Sequence, residues 1–301
     1  MKANCLSENE RKKKGIRINP KYYDNICIYK DRSKVDNNAI GTARNIKRNE
    51  IKHFYDNQHH RKQSIKKFQR VFAFCKHLPG LRKNYDKMMT NSDPMTKLYG
   101  VMLALLDKCA LRPGTLRHTK KNSTFGIATM KSEHIDFKNE CISILFPGKM
   151  KIKNSCQICN DSKLIRVLRD LNETHRHFKQ KTMKLNFSPY LGKGFSAKDF
   201  RTFHANVFFI QHAHDLVNKL KNEQMNKKRT HIVNTAIDKT SKKLHNSFAV
   251  CRSKYIYPYL MTLILKNGML IDDADIIYKN GLNKYESIFF TLLKDQFQNY
   301  Y

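Results

Sequence analysis

The chain has 301 residues, enough for one large or two modest domains with their own apolar cores. Its 58 Lys and Arg against 25 Asp and Glu give a formal charge of +33, more than solubility requires and self-repelling unless a polyanion neutralises it. No run of about 18 apolar residues and no basic amphipathic helix is found, so nucleic acid stands ahead of a membrane surface as the counter-charge.

The opening MKANCLSENERKKKG lacks the apolar stretch of a signal peptide, and residues 1–15 are expected to be a basic tail without fixed structure. The run Arg11 to Lys14 suits a nuclear address or a phosphate-seeking tail. The eight cysteines (5, 27, 75, 109, 141, 156, 159 and 251) lie mostly in apolar stretches. The chain therefore reads as intracellular rather than secreted, and with reduced thiols. From residue 16 to about 60 the segments are short and strand-like, with NICIYK and EIKHFY alternating, while GTARNIKRNEIK between them supplies cations at loop positions. At about residue 66 the period becomes helical: KKFQRVFAFCKHL aligns Phe68, Val71, Phe72 and Cys75 before Pro79-Gly80 ends the helix. The expected organisation is a β-rich domain over 1–66 and an α-rich domain over 67–301.

In the second domain, LYGVMLALLDKCAL reads as a buried core helix closed by RPG, which leaves Arg112 at its end. STFGIATM and CISILF alternate as strands around the turn DFKNE, and PGKMK carries Lys149 outward at the next turn. DSKLIRVLRDL reads as a helix with Asp161 as N-cap, and SAKDFRTFHANVFF as one with a capping box from Ser196 to Asp199, placing Arg201 near its start.

The CxxC pair at Cys156 and Cys159, with HRH at 175–177, lacks standard zinc spacing, and two strand cysteines fit better. No phosphate-cradling glycine loop and no carboxylate cluster of two-metal type occurs, so ATP and metal ions lack seats, and no cofactor is expected. What remains is Arg112, Lys149 and Arg201 at element ends, followed by HNSFAVCRSKYIYPY with its three alternating tyrosines. A tyrosine hydroxyl is a weak nucleophile at neutral pH, and nearby cations favour its phenolate. Arginines can hold the non-bridging oxygens of a phosphodiester in transfer, and a lysine can protonate the leaving oxygen. Residue types alone leave open which tyrosine acts, and whether His245 or Asn246 assists it.

These segments together resemble the type IB DNA topoisomerases, in particular the poxvirus-like branch found also in bacteria and giant viruses. LRPGTLRHTKKNSTFGIATMKSEHI is similar to the family block around its first arginine, FPGKMK to its Gly-Lys turn, SAKDFRTFHAN to the block of its second arginine, and LHNSFAVCRSKYIYP to the bacterial form GNTPAVCR with its tyrosine. The resemblance implies an α+β clamp around duplex DNA, with a small β-domain and a larger, mainly helical catalytic domain of the tyrosine recombinase/topoisomerase IB type. It implies Arg112 and Arg201 as transition-state donors, Lys149 as general acid, Asn246 as the phosphate-binding amide and Tyr255 as the nucleophile of a 3′-phosphotyrosine intermediate, without ATP or metal. His245 then falls on a glycine position and Tyr257 on a histidine position. Arg44, Lys47, Lys52, His53 and Tyr55 of the first domain, with Arg117, His118 and Thr129, are the implied DNA contacts; His118 stands where the family often has tyrosine, and Asn49 where it often has glycine. The expected partner is double-stranded DNA bound by a monomer, with no membrane. A site-specific tyrosine recombinase and a non-catalytic DNA-packaging protein are the rival readings.

Overall fold

The structure, a computed structural model, describes residues 4–14, 16, 18–31, 39–138, 140–179, 183–219 and 222–298. It divides into two compact units, residues 1–67 and 68–301.

The first unit opens with a short helix, α1 (Glu8–Lys13), started by Ser7, whose hydroxyl accepts from Glu10 N while the Glu10 carboxylate accepts from Ser7 N. Leu6 is buried and its amide donates to Ile28 O, so the expectation of an unstructured tail is corrected for residues 4–14; residues 1–3 and 15 lie outside the described set. Three antiparallel strands follow as a meander: β1 (Tyr23–Ile28), β2 (Gly41–Asn45) and β3 (Glu50–Phe54). GTARN is thus the central strand rather than a loop, because Gly41 and Ala43 turn to the buried face and both edges of the segment pair with neighbours. Asn49 closes the β2–β3 turn at φ 51°, a left-handed position that asparagine tolerates in place of glycine.

Helix α2 (Asn57–Met88) leads from the first unit into the second. Phe68, Val71, Phe72 and Cys75 are buried on it, but it does not end at Pro79-Gly80. Proline forfeits one backbone hydrogen bond, yet Leu78, Leu81, Tyr85 and Met88 extend the buried face on both sides of it and offset that loss. Asp93 caps α3 (Pro94–Cys109), which is buried along most of its length. The short helix α4 (Leu116–Asn122) is capped by Thr115.

STFGIATM is not a strand. It forms an irregular segment with a 3₁₀ turn at Ile127–Thr129, because Gly126 presses against the Arg112-Pro113-Gly114 loop and the amides of Ile127 and Ala128 bond to Arg112 O and Pro113 O. The second sheet is instead β4 (Ile135–Lys138), β5 (Cys141–Pro147) and β6 (Lys153–Cys159), in sequential antiparallel order, with Lys149 at the β5–β6 turn.

The remaining elements are helical: α5 (Ser162–Thr174), α6 (Arg176–Lys179), α7 (Ser188–Leu191), α8 (Ala197–Val217), α9 (Asn222–Lys243), α10 (Phe248–Lys254), α11 (Pro258–Asn267) and α12 (Lys284–Phe297). Asp161 caps α5 through its bond from Leu164 N. The Asp199 carboxylate at the start of α8 accepts from both Ser196 N and Ser196 Oγ and pairs with Arg70. α8 is the hub of the unit, packed against α3, α9 and α12. Behind it, Arg82 forks between Asp107 and Glu286, while Tyr85 and His204 also bond Asp107. Burial opposes the Asp107 charge, but His204 and Arg82 outweigh it and hold the carboxyl well below its usual range. The described residues are therefore mixed α and β, with two small sheets and a mostly helical body.

The expectation of reduced thiols is also corrected. Cys5–Cys27, Cys109–Cys156 and Cys141–Cys159 are disulfides, while Cys75 and Cys251 are buried free thiols. The two CxxC cysteines thus have separate partners, each supplied by an element that the tertiary fold brings alongside.

Candidate active site

Three chain reversals converge in the second unit. The first follows α3: Ala110 takes a left-handed conformation and Gly114 a φ of 77°, turning the chain so that Arg112 leaves the helix end. Gly126 is required by contact, since a Cβ there would lie 2.5 Å from Arg112 O and 2.4 Å from Gly114 N. The second is the end of α9, where Leu244 N and Asn246 N still bond back to Thr240 O and Ser241 O and His245 adopts φ 49°. The third is the end of α10, where Tyr255 N bonds to Cys251 O and the chain turns into Pro258.

Arg201, on α8, holds these three together. Only 2% of it is exposed. Its Nη1 donates to Ala110 O at 2.6 Å, its Nη2 donates to Leu244 O, and its Nε donates to the Tyr255 hydroxyl at 3.3 Å, with the guanidinium also over the Tyr255 ring. Burial, and then Arg112 close by, pull the Arg201 guanidinium down to about 10, which still leaves it charged at neutral pH. Arg112 Nη2 donates to Asn246 Oδ1, so the amide nitrogen of Asn246 faces away from that arginine. Arg112 Nη1 and Asn246 Nδ2 are shut off from solvent without an acceptor. Two buried donors beside a second arginine and a tyrosine hydroxyl form a receptor for an anionic oxygen.

Arg112 and Asn246 are thus joined directly, as are Arg201 and Tyr255, and the bonds of Arg201 to Ala110 O and Leu244 O, each two residues from Arg112 and Asn246, bring the two pairs side by side. Lys149 is exposed at the hairpin turn and bonds to none of these four among the described residues. Its hairpin is nonetheless tied to them. Phe125 N bonds to Pro147 O, the Cys109–Cys156 disulfide joins the end of α3 to β6, and His245 Nε2 lies 3.1 Å from Ser155 N and 2.9 Å from Ser155 O. His245 faces the hairpin backbone, not Tyr255. Tyr257 packs on Phe68 at 4.3 Å between ring centres, and burial pushes its hydroxyl up to about 12.

The nominated DNA contacts differ in what they leave exposed. Lys47 and His53 are exposed in the first unit; Arg44 pairs with Asp24, half-buried Lys52 lies 3.6 Å from Glu50, and Tyr55 stacks on His59. Arg117 and His118 are exposed on α4. Thr129 is a correction: it is 2% exposed and its hydroxyl accepts from Gly126 N, so it braces the Arg112 loop and has no surface for a duplex.

Asn206 went unnoticed in the sequence. Fully buried on α8, it donates from Nδ2 to Tyr255 O and accepts at Oδ1 from Tyr257 N, clamping the backbone on both sides of Ile256. The available signal was an asparagine inside the apolar run ANVFF, where a buried amide must find partners.

A loop-borne arginine and a helix-borne arginine flanking an amide and a tyrosine, within a mostly helical body, define a protein built to hold a strongly anionic group. Residues 55–257, two thirds of the chain, match the family "Eukaryotic DNA topoisomerase I, catalytic core", and the chain belongs to that family. It is 25% identical to DNA topoisomerase 1B of Acanthamoeba polyphaga mimivirus, over 71% of this chain and 68% of the relative. It is 21% identical to DNA topoisomerase 1B of Vaccinia virus (strain Copenhagen), over 78% and 74%. DNA topoisomerase 1 of Rabbit fibroma virus (strain Kasza) is 20% identical over 73% and 70%. The chain is thus a type IB topoisomerase of the giant-virus and poxvirus branch, an isomerase acting on DNA. No helix among the described residues is long and apolar enough to cross a membrane.

Proposed function

We propose that the chain relaxes supercoiled duplex DNA by cutting and resealing one strand through Tyr255, as a monomer whose units at 1–66 and 67–301 act as a clamp, where DNA is kept in the cell, viral factory or virion. The observation carrying this reading is the pair of buried, acceptor-less donors, Arg112 Nη1 and Asn246 Nδ2, beside a tyrosine hydroxyl already bonded to Arg201. A scissile phosphate seated there receives donors on its non-bridging oxygens while the Tyr255 oxygen attacks phosphorus. The new P–O bond forms as the bond to the 5′-oxygen breaks, the tyrosine proton leaves to solvent, and Lys149 supplies a proton to the departing oxygen. After strand rotation the 5′-hydroxyl attacks the 3′-phosphotyrosine and the proton movements reverse. The link keeps the energy of the phosphodiester, so the cycle needs neither ATP nor metal ion. Lys47, His53, Arg117 and His118, with Arg44, Lys52 and Tyr55, are proposed to grip the duplex.

The test is a denaturing adduct assay on supercoiled plasmid in EDTA. Wild type and Tyr257→Phe are expected to give a 3′ adduct and relaxed product, and Tyr255→Phe neither. An adduct in Tyr255→Phe would overturn the nucleophile assignment. Strand exchange between two sites would favour a recombinase, and shielding of DNA without nicking would favour a packaging protein.

A further inference from the structure

Met150 is the most exposed large apolar residue among the described residues, at 81%, and it occupies the tip of the β5–β6 hairpin at φ 62° and ψ 26°. Lys151 beside it is also left-handed, at φ 59°. Methionine has no local reason to be there: the left-handed region disfavours a long side chain, and water disfavours a thioether. Glycine or asparagine would suit the turn better on both grounds. The turn itself is well braced. Gly148 N bonds to Ile152 O, Lys151 N bonds to Gly148 O, and Asn154, buried under the turn, donates from Nδ2 to Ile152 O. Asn154 lies so close to Gly148 that a Cβ there would stand 2.2 Å from its Nδ2. A rigid turn therefore holds an apolar tip outward at a conformational cost, which points to a use outside the chain.

The neighbours say what that use is. Lys149, Lys151 and Lys153 are all exposed around Met150, and so is Ile152. An apolar probe ringed by cations does not suit an apolar protein face, where three charges would be desolvated, but it suits DNA, whose phosphates take the lysines and whose grooves take the thioether.

We propose that Met150 is a DNA wedge: as Lys149 reaches the scissile phosphodiester, the Met150 side chain enters the groove beside the cleaved step, packs on sugar and base edges, and loosens the stacking there, so that the 5′ side of the strand is set for departure. This rests on the reading of Lys149 as the general acid.

The experiment places 2-aminopurine next to the cleavage site of a duplex oligonucleotide and follows its fluorescence on binding of the full chain carrying Tyr255→Phe, so that no cutting occurs. Fluorescence is expected to rise, to stay flat when Met150→Gly is added, and to return with Met150→Leu. In the Tyr255 background of wild type, Met150→Gly is expected to slow single-turnover cleavage about tenfold, the equivalent of losing one buried methionine contact. Its Tm is expected to rise by about 2 °C as the left-handed backbone is relieved, so the loss cannot be blamed on folding. A fluorescence rise as large with Met150→Gly as without it, and cleavage as fast as in the wild type, with the wild type still forming its adduct, overturn the wedge alone. Failure of the wild type to form an adduct overturns the catalytic reading instead.

Discussion

At the scale of single residues, the site depends on side chains that do no chemistry. Asn206 bonds the carbonyl of Tyr255 and the amide of Tyr257, so it fixes where the tyrosine hydroxyl sits relative to Arg201. If Tyr255 is the nucleophile as proposed, Asn206→Ala is expected to slow cleavage by about 10²-fold through its misplacement, while DNA affinity measured in a filter-binding assay stays unchanged. A second buried residue sets a pH limit. His177 is fully buried, and burial first, then His175, hold its imidazole down to about 4 against 6.5 in the unfolded chain. Because the folded value is the lower one, the unfolded chain takes up the proton first. The stability from this group is present above pH 6.5 and lost as pH falls towards 4, by about 3 kcal/mol. His177→Gln should flatten that part of the stability profile in urea titrations at successive pH values. Neither role was readable beforehand, since nothing in a sequence says which Asn or His ends in the core.

At the scale of elements, motifs with local rules were legible and those set by neighbours were not. The Asp161 cap and the Ser196–Asp199 box follow from short-range spacing and form as expected. STFGIATM alternates like a strand but is irregular with a 3₁₀ turn at Ile127–Thr129, because the Arg112 loop takes its amides: Ile127 N and Ala128 N bond to Arg112 O and Pro113 O. Pro79 reads as a stop, yet burial on both sides carries α2 through it. The disulfides belong to this scale as well. Cys109–Cys156 closes 47 residues and fastens the Lys149 hairpin to the end of α3, and its loss should cost about 4 kcal/mol in the chain-entropy view. Cys109→Ser is expected to lower Tm and to slow cleavage, whereas Cys27→Ser, which removes Cys5–Cys27 alone, should spare the cleavage rate; calorimetry and single-turnover assays on both variants check this.

At the scale of the whole molecule, charge dominates. A formal +33 on 301 residues predicts binding that collapses with salt: if about eight phosphates are neutralised, affinity for a short duplex should fall roughly 10⁴-fold between 50 and 200 mM. A slope near zero in a fluorescence titration would mean that the charge serves something else. The sequence by itself determined the kind of partner, because net charge needs no fold, and it nominated Arg112, Lys149, Arg201, Asn246 and Tyr255 because each lies within a contiguous block. Only the tertiary structure decided how Arg112, Arg201, Asn246 and Tyr255 meet. Arg201 joins the ends of α3, α9 and α10 across 91, 43 and 54 residues, a convergence that comes from packing α8 against α3 and α9 while α10 packs on α9. It also decided which cysteines pair and which way His245 faces, since both depend on strands brought alongside by the fold and not on neighbours in the chain.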